Sequence, residues 1–195
     1  MFGERKKWEL LVKVHNYAKA IILKAEEVDP DHEFYYPPLI QQRDALDHIM
    51  RAAFAWLFPE RMSDPEKESP PDPAEYASKQ IDKALGHAYR VLFDAADWLS
   101  IIYRERIREY MSSYSPATVY AILPQYRASI EPRIEEICFK IAELRKAKDI
   151  GNTNAIVEGV DSYISLIDEL EQYLATIRAA KGQLDSVEFG HGVKV

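Results

Sequence analysis

The sequence predicts an all-α protein, an elongated up-down bundle of about five main helices whose last two form an antiparallel hairpin. Three observations carry this. Apolar residues recur three and four apart along most of the chain. Val/Ile/Thr-rich alternation and Asn-Gly or Asp-Gly hairpin turns are absent. The 11 prolines among 195 residues gather at breaks between the periodic stretches, where a missing N–H ends a helical ladder.

The first helix is expected over Arg5 to Glu27, with Trp8, Leu11, Val12, His15, Ala18, Ile22 and Ala25 as its stripe. Asp29-Pro30-Asp31 stops it. In that stripe His15 reads as a satisfied core histidine. The second helix is expected from Pro38, a proline suited to the first helical position, to Phe58. Its predicted apolar face is Leu39, Leu46, Ile49, Met50, Ala53, Trp56 and Leu57. Residues 59–73 hold five prolines and several charges and read as a solvated loop. A long third helix follows, Ala74 to Met111, roughly 57 Å at 1.5 Å per residue. Its core face is Ile81, Ala84, Leu85, Ala88, Leu92, Ala95, Leu99, Ile102 and Tyr103. Ser115-Pro116 is an N-cap with a first-turn proline. The short helix it opens meets Pro124, which ends or kinks it. The next helix runs from Glu131-Pro132 to about Lys148, and Gly151 caps the turn after it.

The last helix, Thr153 to Lys181, carries Ile156, Val160, Tyr163, Ile167, Leu170, Leu174 and Ile177 alternately four and three apart, the a/d seam of a coiled-coil-like helix. Its short connection makes it antiparallel to the helix before it. Residues 1–182 are therefore expected to form one bundle domain, and 183–195 an irregular tail.

Composition removes several function classes. A 47% hydrophobic content is too high for a disordered chain, and one cysteine cannot form an internal disulfide. The net charge is −7, which speaks against coating nucleic acid, since phosphate binding needs clustered positive charge. The apolar stretch near the N-terminus is broken by Glu9, Lys13, His15 and Lys19, so no signal peptide is expected. No apolar run approaches the ~20 residues of a bilayer span. A cytoplasmic protein without a membrane partner is the expectation. Glu-x-x-His pairs, cysteine pairs and glycine-rich phosphate loops are missing, so neither a metal site nor a cofactor is expected. Cys138, between Ile137 and Phe139, reads as a buried small hydrophobe.

Two polar constellations remain. The first is Arg43-Asp44-Ala45-Leu46-Asp47-His48 with Arg51, inside the second helix. Arg43 falls on the Leu39/Leu46/Met50 side. Asp44 and His48 are four apart, as are Asp47 and Arg51, so each pair can meet along the surface. Asp44 beside His48 would orient the imidazole and raise its pKa, which suits acid/base work. The second is the stripe His87, Arg90, Asp94 and Asp97 on the third helix. Each set also reads as an ordinary charged helix face. Antiparallel packing of the two helices would gather Arg43, His48, Arg51, His87, Arg90 and Asp94 in one groove.

The run Arg43-Asp44-x-x-x-His48 resembles the R-polar-x-x-x-H motif of HEPN domains. The resemblance implies an all-α bundle acting as a homodimer, a metal-independent ribonuclease frequent in prokaryotic defence and toxin–antitoxin systems. It implies Arg43 on the scissile phosphate, His48 as acid/base for attack by the RNA 2′-hydroxyl, and Asp44 at the polar position. An i,i+5 pair sits roughly 140° apart on a helix, so a second copy would have to complete the site. The motif lies here on the second helix, with Met50 where the family often has a tyrosine. Two other readings stand beside this one. One is a non-catalytic assembly module that uses the seam of helix 153–181 for a partner. The other is a bundle holding a small anionic ligand such as a nucleotide on Arg51, His87, Arg90 and Asp94 together with Arg43.

Overall fold

A computed structural model describes residues 5–29, 35–62, 72–146 and 153–190. The fold is all-α, and among the described residues there is no strand. Six α-helices follow in order: α1 (Arg5–Val28), α2 (Tyr36–Leu57), α3 (Pro73–Ser112), α4 (Pro116–Ile122), α5 (Glu131–Lys146) and α6 (Thr153–Phe189). A 3-10 turn, Pro59–Met62, follows α2, and a π-helical turn, Tyr126–Ile130, leads into α5. The rest of the expected 59–73 loop, residues 63–71, lies outside the described residues, as do the turn at 149–152 and His32, His191 and Gly192. Among the described residues no helix is long and apolar enough to cross a membrane.

Where the sequence predicts one domain through residue 182, the chain forms two compact units, Met1–Trp98 and Leu99–Val195. The division falls inside α3. A helix of 40 residues is about 60 Å long, enough for each half to serve its own core.

In the first unit α2 runs antiparallel to α3. His48 meets Gln80, Gln41 meets His87, and Tyr35 stacks on Trp98, so numbers fall along one helix as they rise along the other. At the far end Trp8 of α1 lies 5.7 Å from Trp56 of α2, centroid to centroid, and packs with it on Ala52, Ala55, Ala77 and Ile81. Lys7 ties α1 to Asp82 at 2.8 Å.

The predicted core face of α3 is buried at every position. The face of α2 is not the predicted one. Its buried residues are Pro38, Ala45, Ala52 and Ala55, while Leu39, Leu46, Met50 and Leu57 are exposed and Ile49, Ala53 and Trp56 half-buried. Apolar residues cover most of the circumference of α2, so hydrophobicity alone does not choose a face. Close approach does: alanines on α2 meet Ala77 and Ile81 on α3, where larger side chains would hold the helices apart. The stripe of α1 is rotated in the same way. Leu11, Val14, Ala18, Ile21 and Ala25 are buried, whereas Val12 and His15 are exposed, so His15 is no core histidine.

In the second unit the heptad positions Val160, Tyr163, Ile167, Leu170, Leu174 and Ile177 are all buried; the side chain of Ile156 lies outside the described residues. The chain itself covers this seam, which corrects its assignment as a partner surface. Arg133 of α5 holds Glu169 of α6 through Nε at 2.7 Å and Nη2 at 2.8 Å. Further on, Lys140 and Leu144 face Leu166 and Ser162 across a shallow cleft. Rising numbers on α5 thus meet falling numbers on α6, and the pair is antiparallel as expected. Ser115 caps α4, its Oγ accepting from the Thr118 N–H at 3.3 Å with Pro116 in the first turn.

Helix α6 does not stop at Gly182 but continues to Phe189. A mid-helix glycine costs only about 1 kcal/mol, and anchors beyond it offset that. Leu184 is fully buried, the Tyr114 hydroxyl donates to Asp185 at 2.6 Å, and Glu188 accepts from the Ser115 N–H and Oγ. Cys138 is half-buried, its Sγ 2.9 Å from Nη1 of Arg104, and so is not the inert core residue the sequence suggests.

Candidate functional site

The alanine register that sets α2 against α3 also sets their polar positions face to face, all within the first unit. His48 and His87 stack with ring centroids 5.3 Å apart and planes 23° from parallel. Each ring is held from behind by an amide of the opposite helix. Nδ1 of His48 lies 2.6 Å from Oε1 of Gln80, and Nδ1 of His87 lies 2.8 Å from Oε1 of Gln41. An Nδ1 that carries the ring proton donates it to the amide oxygen, and Nε2 is then the atom that takes up or releases a proton.

The cations flank this pair. Arg43 donates through Nε (3.0 Å) and Nη2 (2.7 Å) to one oxygen of Asp44, and Nη1 of Arg90 lies 3.4 Å from Nδ1 of His87. The hydrogen bond from Arg43 holds the Asp44 carboxyl below its ordinary value, and the positive forms of His87 and His48 add to this. The His87 pKa is lowered, first by burial, then by the Arg90 charge and by His48. Two imidazoles in contact resist carrying two charges. The lowered proton affinity of His87 suits it to take up a proton as a general base.

The structure thus brings together Arg43, Asp44, His48, His87 and Arg90. Arg51 instead pairs with Asp47 at 2.7 Å. Asp94 sits half-buried a turn beyond Arg90, and Asp97 is buried. Two expectations are corrected. Arg43 is not at the core boundary: its side chain is 74% exposed. Asp44 does not orient His48, because Arg43 engages it and Gln80 takes that role. Sequence reasoning missed Gln41 and Gln80. The available signal was spacing: Gln41 lies seven residues before His48, and Gln80 seven before His87, so each helix carries a Gln/His pair on one face.

Among the described residues no group of three or more His, Cys, Asp or Glu could hold a metal ion. Compared with known proteins, the chain matches no family model, no curated protein and no solved structure.

Proposed function

We propose that the protein is a HEPN-like, metal-independent endoribonuclease that works as a homodimer on cytoplasmic RNA. The observation that carries this is the stacked His48–His87 pair, each ring fixed at Nδ1 by a glutamine of the opposite helix. RNA carries its own nucleophile, the 2′-hydroxyl. Cleavage needs a base to take its proton, an acid to protonate the departing 5′-oxygen, and a cation at the phosphate. Burial keeps His87 neutral and makes it the base. His48 is the acid. Arg43 and Arg90 bind the phosphate oxygens. Attack forms the bond from O2′ to phosphorus and breaks the one to O5′, leaving a 2′,3′-cyclic phosphate and a 5′-hydroxyl. A role in defence or as a toxin is what the resemblance adds.

The exposed stripe Leu39, Leu46, Met50 and Leu57 favours a second reading, an assembly module that docks through α2. One experiment separates them. The protein is incubated with tRNA and single-stranded RNA in excess EDTA beside His48→Ala and His87→Ala. Cleavage to cyclic-phosphate ends, lost in both variants, supports the ribonuclease. Intact RNA at micromolar protein refutes it and leaves the assembly module.

A further inference from the structure

An apolar groove of about 540 Å³ runs between α1 and α2 in the first unit; it is lined by neither histidine of the stacked pair but shares Arg43 with that site. That volume is ordinary for a small-molecule site, roughly 300–1,000 Å³. Ala88 and Val91 of α3 are among its lining residues. The walls are hydrocarbon, including Leu11 and Val12 on one side and Leu46 and Ile49 on the other, and Val12 and Leu46 are each more than half exposed. The polar lining residues are Gln42, Arg43 and His15.

These polar groups are not evenly spread. Trp8 packs at the Ala52–Trp56 end of α2, so Arg43 and Gln42 lie more than two helical turns from it, with Leu39 one turn further on. The groove therefore has a cationic, hydrogen-bonding stretch at Gln42 and Arg43 and an apolar stretch that runs from there to Trp8. On α2 the lining runs from Leu39 to Ile49, about 15 Å at 1.5 Å per residue.

We propose that this groove binds a single-chain carboxylate of medium length, its head on Arg43 and Gln42 and its tail lying over Ala88 and Val91 toward Trp8. A guanidinium takes a carboxylate through two parallel N–H bonds, and the walls match an unbranched alkyl chain. The length of the groove sets the limit on the chain. Asp44 is the competitor: both donors that Arg43 uses go to one Asp44 oxygen, so a bound carboxylate must draw the guanidinium away from it. The inference does not rest on the ribonuclease reading, because binding is measured without RNA.

The test titrates the full chain with hexanoate, octanoate, decanoate and dodecanoate below their micelle concentrations, by calorimetry and by tryptophan fluorescence. Decanol and decylamine serve as head-group controls. Affinity should rise about fourfold per added methylene, then level off once the groove is filled. Decanoate should bind at least tenfold more tightly than decanol or decylamine. Arg43→Ala should remove that preference, while Asp44→Asn should tighten decanoate; Arg43 is exposed, and circular dichroism checks that each variant is folded. Equal binding of acid, alcohol and amine would overturn the proposal, as would an Arg43→Ala variant that binds decanoate unchanged. Absence of binding at millimolar ligand would overturn it too, including the case where a second copy of the chain closes the groove, visible as a dimer by light scattering.

Discussion

Ala52→Leu should destabilise the protein although it adds hydrocarbon to an apolar helix face. Ala52, Ala55, Ala77 and Ile81 are all fully buried in one cluster that also holds Trp8 and Trp56. Leucine adds three carbons where no free volume exists. Overpacking of this kind costs about 1–3 kcal/mol, and the rigid α2–α3 contact places this site at the upper end. At ~2–4 °C per kcal/mol for a chain of this size, the melting temperature should fall by about 5–10 °C. The control is Leu46→Ala. Leu46 is 54% exposed, so its loss should cost under about 1 kcal/mol. Thermal and urea melts followed by circular dichroism read both. The same α2 displacement should also separate His48 from His87, seen as changed imidazole shifts by NMR. An Ala52→Leu variant as stable as wild type, beside a Leu46→Ala variant that loses several kcal/mol, would show that α2 buries the leucine face and would sink both the register and the site built on it.

Four further outcomes follow from the same structure. Gln80→Leu removes the acceptor that fixes Nδ1 of His48, and should lower RNA cleavage by on the order of 10²-fold and change the His48 tautomer ratio in nitrogen NMR spectra; unchanged activity would refute its positioning role. His87 has a lowered pKa in the folded state, so the unfolded chain binds its proton first as pH falls. The stability it contributes is complete above pH ~6.5 and declines below it, and His87→Gln should flatten urea midpoints measured between pH 7.5 and 5.5. Gly182→Ala should stabilise α6 by ~0.5–1 kcal/mol, since an added Cβ meets nothing within 4 Å; a loss of stability would place the end of the helix before residue 182. Tyr89 is buried with a hydroxyl that lacks a partner among the described residues, and burial pushes its pKa up to about 12. Tyr89→Phe should leave stability equal or raise it by ~1 kcal/mol, as read by calorimetry.

The helices were legible because proline and cap signals act locally. Ser115-Pro116 specifies the start of α4 within one turn, and the expected limits of α1 to α4 and the start of α5 lie within about two residues of the observed ones, while the expected end of α5 at Lys148 lies outside the described residues. The seam of α6 was legible for a different reason: one narrow stripe of large side chains leaves a single way to bury them. On α2 that condition fails. Leucines on one side compete with alanines on the other, and the outcome depends on the small residues α3 offers at 77, 84 and 88, which no local reading of α2 contains. The end of α6 was missed for the same reason. Gly182 looks like a stop, and the contacts that override it come from Tyr114 and Ser115, some seventy residues earlier.

The candidate site follows from that unexpected register. If α2 had buried Leu39, Leu46, Met50 and Leu57, Arg43 would have turned toward the core and His48, roughly 140° away, would have pointed to water. The alanine face turns α2 the other way, placing Arg43 on the surface beside Asp44 and His48 against Gln80. Each imidazole then gains its amide from the opposite helix, so neither helix holds a complete acid/base unit by itself. An i,i+4 carboxylate such as Asp44 is the natural expectation for orienting a histidine on an isolated helix. In the packed pair a neutral glutamine holds the ring at Nδ1 without placing a full charge beside it. Burial and the Arg90 charge then lower the proton affinity of His87. Packing thus sets the proton affinity of His87, and the first expression of that packing in the sequence is the choice of alanine at 45, 52 and 55.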